Sequence, residues 1–311
     1  GVQDGYGVMI NCYDADYKAG TAKVTITGGT FTKFNPADNK AEGDGTSFCP
    51  EGYGVAKIGD NYTVMPVSKA TVQVLDENGE LKYCFSSSSA SSHTAFTNAV
   101  AAAVAGDTIK LFRNFSTSTL KAGLVYDLNG YKLTYSSGFS FTLVYENSTT
   151  SFIDSSVSGT ARGGTLYMSK NSAGGAGIVV GTGATLNVEN IKIESAKGEC
   201  FFPKGDAARV NVVNCDMSAN YYCIGTNAAT TDNYNVIIDL KGSTFTSKNA
   251  TDGTPVYINV AGALNIDDCE LTSPRQGLMV RAGTANITNS TITTTGKYTN
   301  KDQYYTGAWG S

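Results

Sequence analysis

Histidine is almost missing from this chain: His93 is the single one in 311 residues. A cluster of histidine ligands for a metal is therefore excluded. Any Ser-His-Asp or Cys-His site would have to use His93 itself, and its place at the start of an alanine-rich segment suits capping or packing better than catalysis. Charge is scarce as well. Asp, Glu, Lys and Arg make up 16% of the residues, against about a quarter in ordinary soluble domains. The 23 basic and 27 acidic residues leave a net charge of −4 with no basic run, so neither nucleic acid nor an anionic membrane surface is expected as a partner. No apolar run reaches the length of a membrane-spanning helix, and no membrane insertion is expected. Proline occurs only 6 times and tryptophan once.

Polarity comes instead from Ser, Thr, Asn and Gly; the 35 glycines point to many tight turns between short strands. The seven cysteines are Cys12, Cys49, Cys84, Cys200, Cys215, Cys223 and Cys269. Their odd number leaves at least one thiol unpaired, and no CxxC pair supports a zinc or redox motif. Most lie inside apolar runs such as Cys200-Phe201-Phe202 and Tyr222-Cys223-Ile224, where they read as small buried hydrophobes, with one or two disulfides left open. No cofactor is expected. The opening at Gly1 and the close at Gly310-Ser311 read as those of a processed or excised piece.

An internal repeat dominates the second half. Leu186–Ile193, Val210–Met217, Leu264–Leu271 and Ala285–Ile292 share one pattern, apolar-polar-apolar-x-(Asn/Asp/Gly)-x-x-apolar, with a looser copy at Ile238–Phe245 and an outlying one at Val24–Phe31. The first three positions alternate as a strand with one buried face does. The Asn/Asp/Gly position suits a turn with left-handed backbone angles. Between Asn190, Asn214, Gly242, Asp268 and Asn289 the gaps are 24, 28, 26 and 21 residues, the length of one coil built from three short strands. Segments 177–180, 255–258 and 277–280 supply the third strand. One such coil cannot bury its apolar residues alone; stacked coils can. Stacking predicts interior columns Ile193-Met217-Phe245-Leu271-Ile292 and Val188-Val212-Leu240-Ile266-Ile287, and a column of small residues Cys215-Ser243-Cys269-Ser290. The expected fold is all-β: a right-handed, single-stranded parallel β-helix.

A short capping helix is expected near 93–105. Its stripe would be Phe96, Val100 and Val104, its N-terminal cap Ser91 or Ser92, and its end Gly106. It would lie over the open end of the rod. That helix, followed by Gly106-Asp107-Thr108-Ile109-Lys110-Leu111 and by Leu128-Asn129-Gly130-Tyr131-Lys132-Leu133, resembles the start of the pectate-lyase-like right-handed β-helix superfamily, over roughly residues 92–311. Three parts are expected: 1–66, a closing rung and hairpin that resemble the end segments of large surface proteins of gut bacteria; 67–91, a hairpin turning at Asn78-Gly79 and a Ser-rich linker; and 92–311, the capped β-helix. A tail-like part thus precedes a head-like one. This order suits either a piece of a tandem-repeat protein or a subunit whose residues 1–66 complete a neighbour's rod.

The resemblance specifies fold better than function. It implies, for polygalacturonase-like members, an Asn-Thr-Asp, Asp-Asp, Gly-His-Gly and Arg-Ile-Lys series, of which only Asp267-Asp268 occurs here. For lyase-like members it implies a calcium-binding carboxylate cluster with an Arg or Lys base, for which the nearest residues are Asp267, Glu270, Arg275 and Arg281; a solvated face with weak ion pairs explains the same residues. Asp14 and Asp16, with Asp38 or Asp44, are the nearest approach to a calcium loop, but no complete D-x-D-x-D-G sequence is present and a surface turn accounts for them. Tyr221-Tyr222, Tyr304-Tyr305 and Trp309 are the densest aromatic groups for stacking on sugars. The reading favoured is a non-catalytic extracellular or cell-surface module for structure or adhesion. Its expected partners are copies of itself, head to tail, or surface glycans. The alternatives are a polysaccharide lyase or hydrolase acting along the rod, and a glycan-binding module without turnover.

Overall fold

In a computed structural model, the described residues are 9–10, 12–39, 46–87, 93–136, 141–142, 147–169, 175–226 and 234–296. The chain divides into two compact units, Gly1–Arg113 and Asn114–Ser311.

The second unit is a parallel β-helix. Three sheets run along it, each built from one strand per coil. Sheet I takes Val125–Asp127, Thr149–Ile153, Thr185–Glu189, Arg209–Val213, Asn235–Lys241, Ala261–Asp267 and Thr284–Thr288, in that order. Sheet II has eight strands, from Phe115–Thr117 to Thr291–Thr294, and sheet III has six, from Phe141–Thr142 to Leu278–Val280. Every pairing within these sheets is parallel and joins one coil to the next.

The expected columns form in register. Ile193 pairs with Met217, Met217 with Phe245, Phe245 with Leu271 and Leu271 with Ile292. The same column runs back through Leu166, Leu133 and Phe115. Val188, Val212, Leu240, Ile266 and Ile287 form the second, which continues back to Phe152 and Tyr126. Those two rings stack with centroids 5.0 Å apart and planes 15° from parallel. All members are buried except the last of each column, Ile287 and Ile292. Each buried Leu, Ile or Phe contributes about 1.5–3 kcal/mol, so the rod is held by repetition of one modest interaction along its length.

The turns between sheets I and II carry the predicted left-handed residues: φ is 62° at Asn190, 51° at Asn214, 57° at Gly242, 53° at Asp268 and 50° at Asn289. Each backbone N–H at the first four of these donates to the end of the next coil's sheet I strand, for instance Asn214 N to Lys241 O at 2.9 Å and Asp268 N to Thr288 O at 3.2 Å. The small-residue column works as a second seam. Ser243 Oγ donates to Lys241 O at 2.7 Å and accepts from Cys215 N at 2.9 Å. Ser290 and Cys269 repeat the arrangement one step on. Every cysteine is a free thiol, and all but the half-buried Cys49 are buried, so no disulfide staples the coils.

The first unit is antiparallel. Tyr53–Ile58 and Asn61–Pro66 make the expected hairpin, as do Val72–Leu75 and Leu81–Phe85. Val72–Leu75 also pairs antiparallel with Thr108–Leu111. Two expectations change here. Val24–Phe31 is not a rung: residues 23–27 form no strand, and Thr30–Thr32 pairs antiparallel with Asn61–Pro66. A rung exists only where a neighbouring coil offers a parallel edge, and the edge beside this segment belongs to a hairpin. The helix spans Thr94–Ala102 and stops before Val104, which is exposed. The buried Asp107 carboxylate accepts from Val104 N at 2.8 Å and pairs with Lys82 Nζ at 2.8 Å, holding the chain out of helical geometry there. Ala95, Phe96, Ala99 and Val100 are the buried face, packed on Tyr53–Ile58, Val72–Leu75 and Leu81–Phe85. His93 occupies the N-terminal cap position without a side-chain capping bond. Ser91 and Ser92 lie outside the described residues. Among the described residues no helix is long and apolar enough to cross a membrane.

Candidate functional site

The I–II turns take two residues in the later coils, as at Asn190-Ile191 and Asn214-Cys215. Between Thr149–Ile153 and Thr165–Met168 the connection is much longer, and two buried aspartates organise it. Asp127 accepts from Asn129 N and Ser155 N, both at 3.0 Å, and from Ser155 Oγ at 2.6 Å. Asp154 accepts from Gly130 N at 2.7 Å, Gly164 N at 2.6 Å and Ser156 N at 2.9 Å, and from the Ser156 hydroxyl. Burial alone would raise the Asp154 carboxyl, but these donors outweigh it and hold it below the usual carboxylate range.

From that anchor, residues 155–163 lie as a strap along the turn ladder. Gly163 N donates to Asn190 O at 2.8 Å. Asn214 Nδ2 donates to Gly159 O at 3.0 Å and to Asn190 Oδ1 at 2.7 Å. Arg162 Nη2 donates to Gly242 O at 2.8 Å, Nη1 reaches Thr160 O, and Nε stands 3.3 Å from Asp216 Oδ1. The Arg162–Asp216 contact is an ion pair without hydrogen-bond geometry, since Nε has no hydrogen-bond partner. The strap therefore spans the turns of three successive coils. No sequence pattern announced it, because Arg162 meets Gly242 at a separation of 80 positions.

Beyond the end of the strap lies a groove of about 560 Å³. Its walls include Thr160 and Arg162 from the strap and Lys241, Asp268, Glu270 and Thr291 from three coils, with Val213 and Gly242 in its lining. Gly242 interrupts the row of Asn and Asp side chains at the turns, and a Cβ there would meet only Asp268 Oδ2, at 3.9 Å. Among the described residues, the Lys241 ammonium and the Asp268 and Glu270 carboxylates make no hydrogen bond and are exposed.

No family model, curated protein or solved structure matches this chain. Asp267, Glu270, Arg275 and Arg281 are strung around one coil, at the end of sheet I, the start of sheet II, the II–III connection and the end of sheet III. Asp267 is a brace: it accepts from Thr288 Oγ1 at 2.8 Å and Asn289 Nδ2 at 3.0 Å, and these bonds hold its carboxyl low. Arg281 Nη1 donates to Tyr257 Oη at 3.3 Å. Other outward residues of sheet I also pair between coils, Asn211 with Asn187 at 2.8 Å, Asn265 with Asp239 at 2.7 Å and Asn286 with Asn265 at 3.0 Å. Asp14 and Asp16 fall on a short helix, Asp14–Ala19, rather than a surface turn; Asp16 Oδ1 accepts from Thr21 Oγ1 at 3.3 Å. Asp44 lies outside the described residues; among the described residues no group of three or more His, Cys, Asp or Glu side chains is placed to hold a metal ion.

Tyr221 is half-buried, and Tyr222, 8% exposed, packs on Tyr257 with centroids 5.3 Å apart; its ring is part of the wall rather than an open platform. Tyr304, Tyr305 and Trp309 lie outside the described residues. Beside Tyr222 is a group the sequence did not single out, the buried Glu199. Burial pushes its carboxyl up to about 8. Gly225 makes the room: a Cβ there would stand 3.0 Å from Glu199 Oε2 and 2.8 Å from the Tyr222 ring.

Proposed function

We propose that this chain is an extracellular structural or adhesive module that grows by adding coils to the exposed end of its β-helix, either head to tail with further copies or within a tandem-repeat surface protein. The carrying observation is the contrast between its last two described coils. Ile266 and Leu271 are 1% and 0% exposed, whereas Ile287 and Ile292, next in the same columns, are 43% and 41% exposed. A parallel edge with apolar residues in register is a template for another parallel strand. In a head-to-tail fibre this contact is heterologous and propagates. Membership of the pectate-lyase-like β-helix superfamily, and similarity to surface proteins of gut bacteria, are part of the same reading. The outward residues Asn187, Asn211, Asp239, Asn265 and Asn286 of sheet I support it, since they are paired with one another between coils.

Light scattering over a concentration series, with negative-stain electron microscopy, tests the proposal. Filaments of constant width, lost on changing Ile287 and Ile292 to Lys, are the expected result. A particle of one chain at every concentration overturns the head-to-tail form.

A further inference from the structure

We propose that Cys200 and Cys223 form a redox pair, closing in the presence of a small-molecule disulfide into a covalent staple between two consecutive coils. Register places them together. In sheet III, Phe201 pairs in parallel with Ile224, so the residues just before them, Cys200 and Cys223, face each other one coil apart. Parallel neighbours stand about 4.8 Å apart, inside the roughly 4.4–6.8 Å between Cα atoms that a disulfide spans. Their sulfurs point the same way. Cys200 Sγ donates to Ser218 O at 3.7 Å and Cys223 Sγ to Thr246 O at 3.5 Å, and Ser218 and Thr246 are themselves register partners in sheet II. The two thiols thus hold equivalent interior places on neighbouring coils, and both are fully buried. Burial raises both thiols, and the Cys223 sulfur adds to the rise at Cys200, as a like charge at short range does.

No other cysteines of the second unit are placed in this way. Cys215 and Cys269 share a column, but Ser243 stands between them. At two coil spacings, about 9.6 Å, they lie beyond the roughly 7 Å limit for a disulfide. The column of Cys200 and Cys223 continues with Gly177 on one side and Pro255 on the other, so no third thiol competes. Stacked Cβ atoms are also one coil spacing apart, and closure draws the two together by roughly half an ångström. The strand Ile224–Gly225 has only two residues and few ladder bonds to resist that shift. In the reaction one thiolate attacks the reagent disulfide and releases one thiol; the second attacks the mixed disulfide and releases the other. The chain loses two electrons and two protons, which leave in the two reagent thiols. The Lys248 ammonium favours the thiolate at both positions. Because neither sulfur reaches solvent, the bond forms while the coils close during folding. This staple is independent of coil addition at the exposed end, and either idea can fail without the other.

Refolding of the full chain from denaturant tests it, once in a reducing buffer and once with oxidised glutathione as the small disulfide. The products are digested without reduction by trypsin and chymotrypsin together, which separate Cys215 from Cys223 at Tyr221, and mapped by mass spectrometry. A peptide pair joining Cys200 to Cys223 is expected in the oxidised sample alone. The oxidised chain should melt about 5 °C above the reduced one. Cys200→Ser and Cys223→Ser should each abolish that difference between the two buffers, whatever they do to the melting temperature itself. Cys269→Ser, which copies Ser243 and Ser290 of its own column, should keep it. The peptide map is made on the unsubstituted chain and needs no variant to fold. Free Cys200 and Cys223 after oxidative refolding, either one joined to a different cysteine, or a link that leaves the melting temperature unchanged overturns the inference.

Discussion

Arg162 Nη2 donates to the Gly242 carbonyl oxygen at 2.8 Å, tying the strap to a turn 80 positions later in the chain. That oxygen belongs to a left-handed residue whose own N–H is used by Asp267 O. Hydrogen bonds from charged groups contribute about 1.5–3 kcal/mol. Arg162→Ala is therefore expected to lower stability by about 2 kcal/mol and to expose 157–162 to limited proteolysis. Arg162→Lys should recover little, because a single ammonium cannot reach Gly242, Thr160 and Asp216 together. Denaturant melts and a proteolysis time course check both.

The turn ladder distinguishes backbone strain from lost side-chain bonds. Asn214→Gly keeps the left-handed angle but removes the amide that holds Gly159 and Asn190; a loss of about 1–2 kcal/mol is expected. Gly242→Val forces a β-branched residue to φ 57° and should cost at least about 1–2 kcal/mol. Gly242→Asn tolerates the angle and restores the missing member of the row, so its melting temperature should stay near that of the parent. A Gly242→Asn variant as unstable as Gly242→Val would contradict this account.

Two buried carboxyls give stability opposite pH slopes. Asp154 is held below its ordinary value of 3.8, so the folded state binds its proton less readily, and that stabilisation disappears as pH falls below 3.8. Glu199 is raised from 4.5 to about 8, so the folded state holds its proton more tightly. Stability therefore declines as pH rises from about 4.5 to about 8 and is level above that. At 1.36 kcal/mol per unit, the full Glu199 effect is on the order of 5 kcal/mol. Glu199→Gln should match the parent near pH 4.5 and exceed it at pH 9, as melts at the two pH values would reveal.

Thiol reactivity reports the packing directly. Six of the seven cysteines are buried and Cys49 is half-buried. Burial raises the thiols of Cys84, Cys215 and Cys223 to about 12, which suppresses the thiolate. A thiol-disulfide exchange reagent should modify at most Cys49 quickly in the native chain, and all seven in denaturant. Rapid native modification of Cys215 or Cys269 would show that the small-residue seam opens.

The coil pattern was legible because each coil repeats a local rule: apolar residues in alternation, then a residue that accepts left-handed angles. Local rules are written in neighbouring letters, so the strands of the later coils, both interior columns and the turn residues Asn190, Asn214, Gly242, Asp268 and Asn289 were readable before any coordinates. The two hairpins of the first unit were readable for the same reason. Val24–Phe31 carried the same letters and did not become a rung, because parallel pairing also requires a neighbouring coil, which no short segment specifies by itself. Val104 continued a helical stripe, yet the Asp107 carboxylate captured its N–H. Only the tertiary structure decided the strap, the groove beside it and the burial of Glu199. Each depends on groups from separate coils meeting: Arg162 with Gly242, Lys241 with Glu270 across one groove, and Glu199 with Tyr222 and the space left by Gly225. Such meetings are set by how coils stack and where one connection is long, and the energy that fixes them is shared among residues too far apart in the chain to form a pattern.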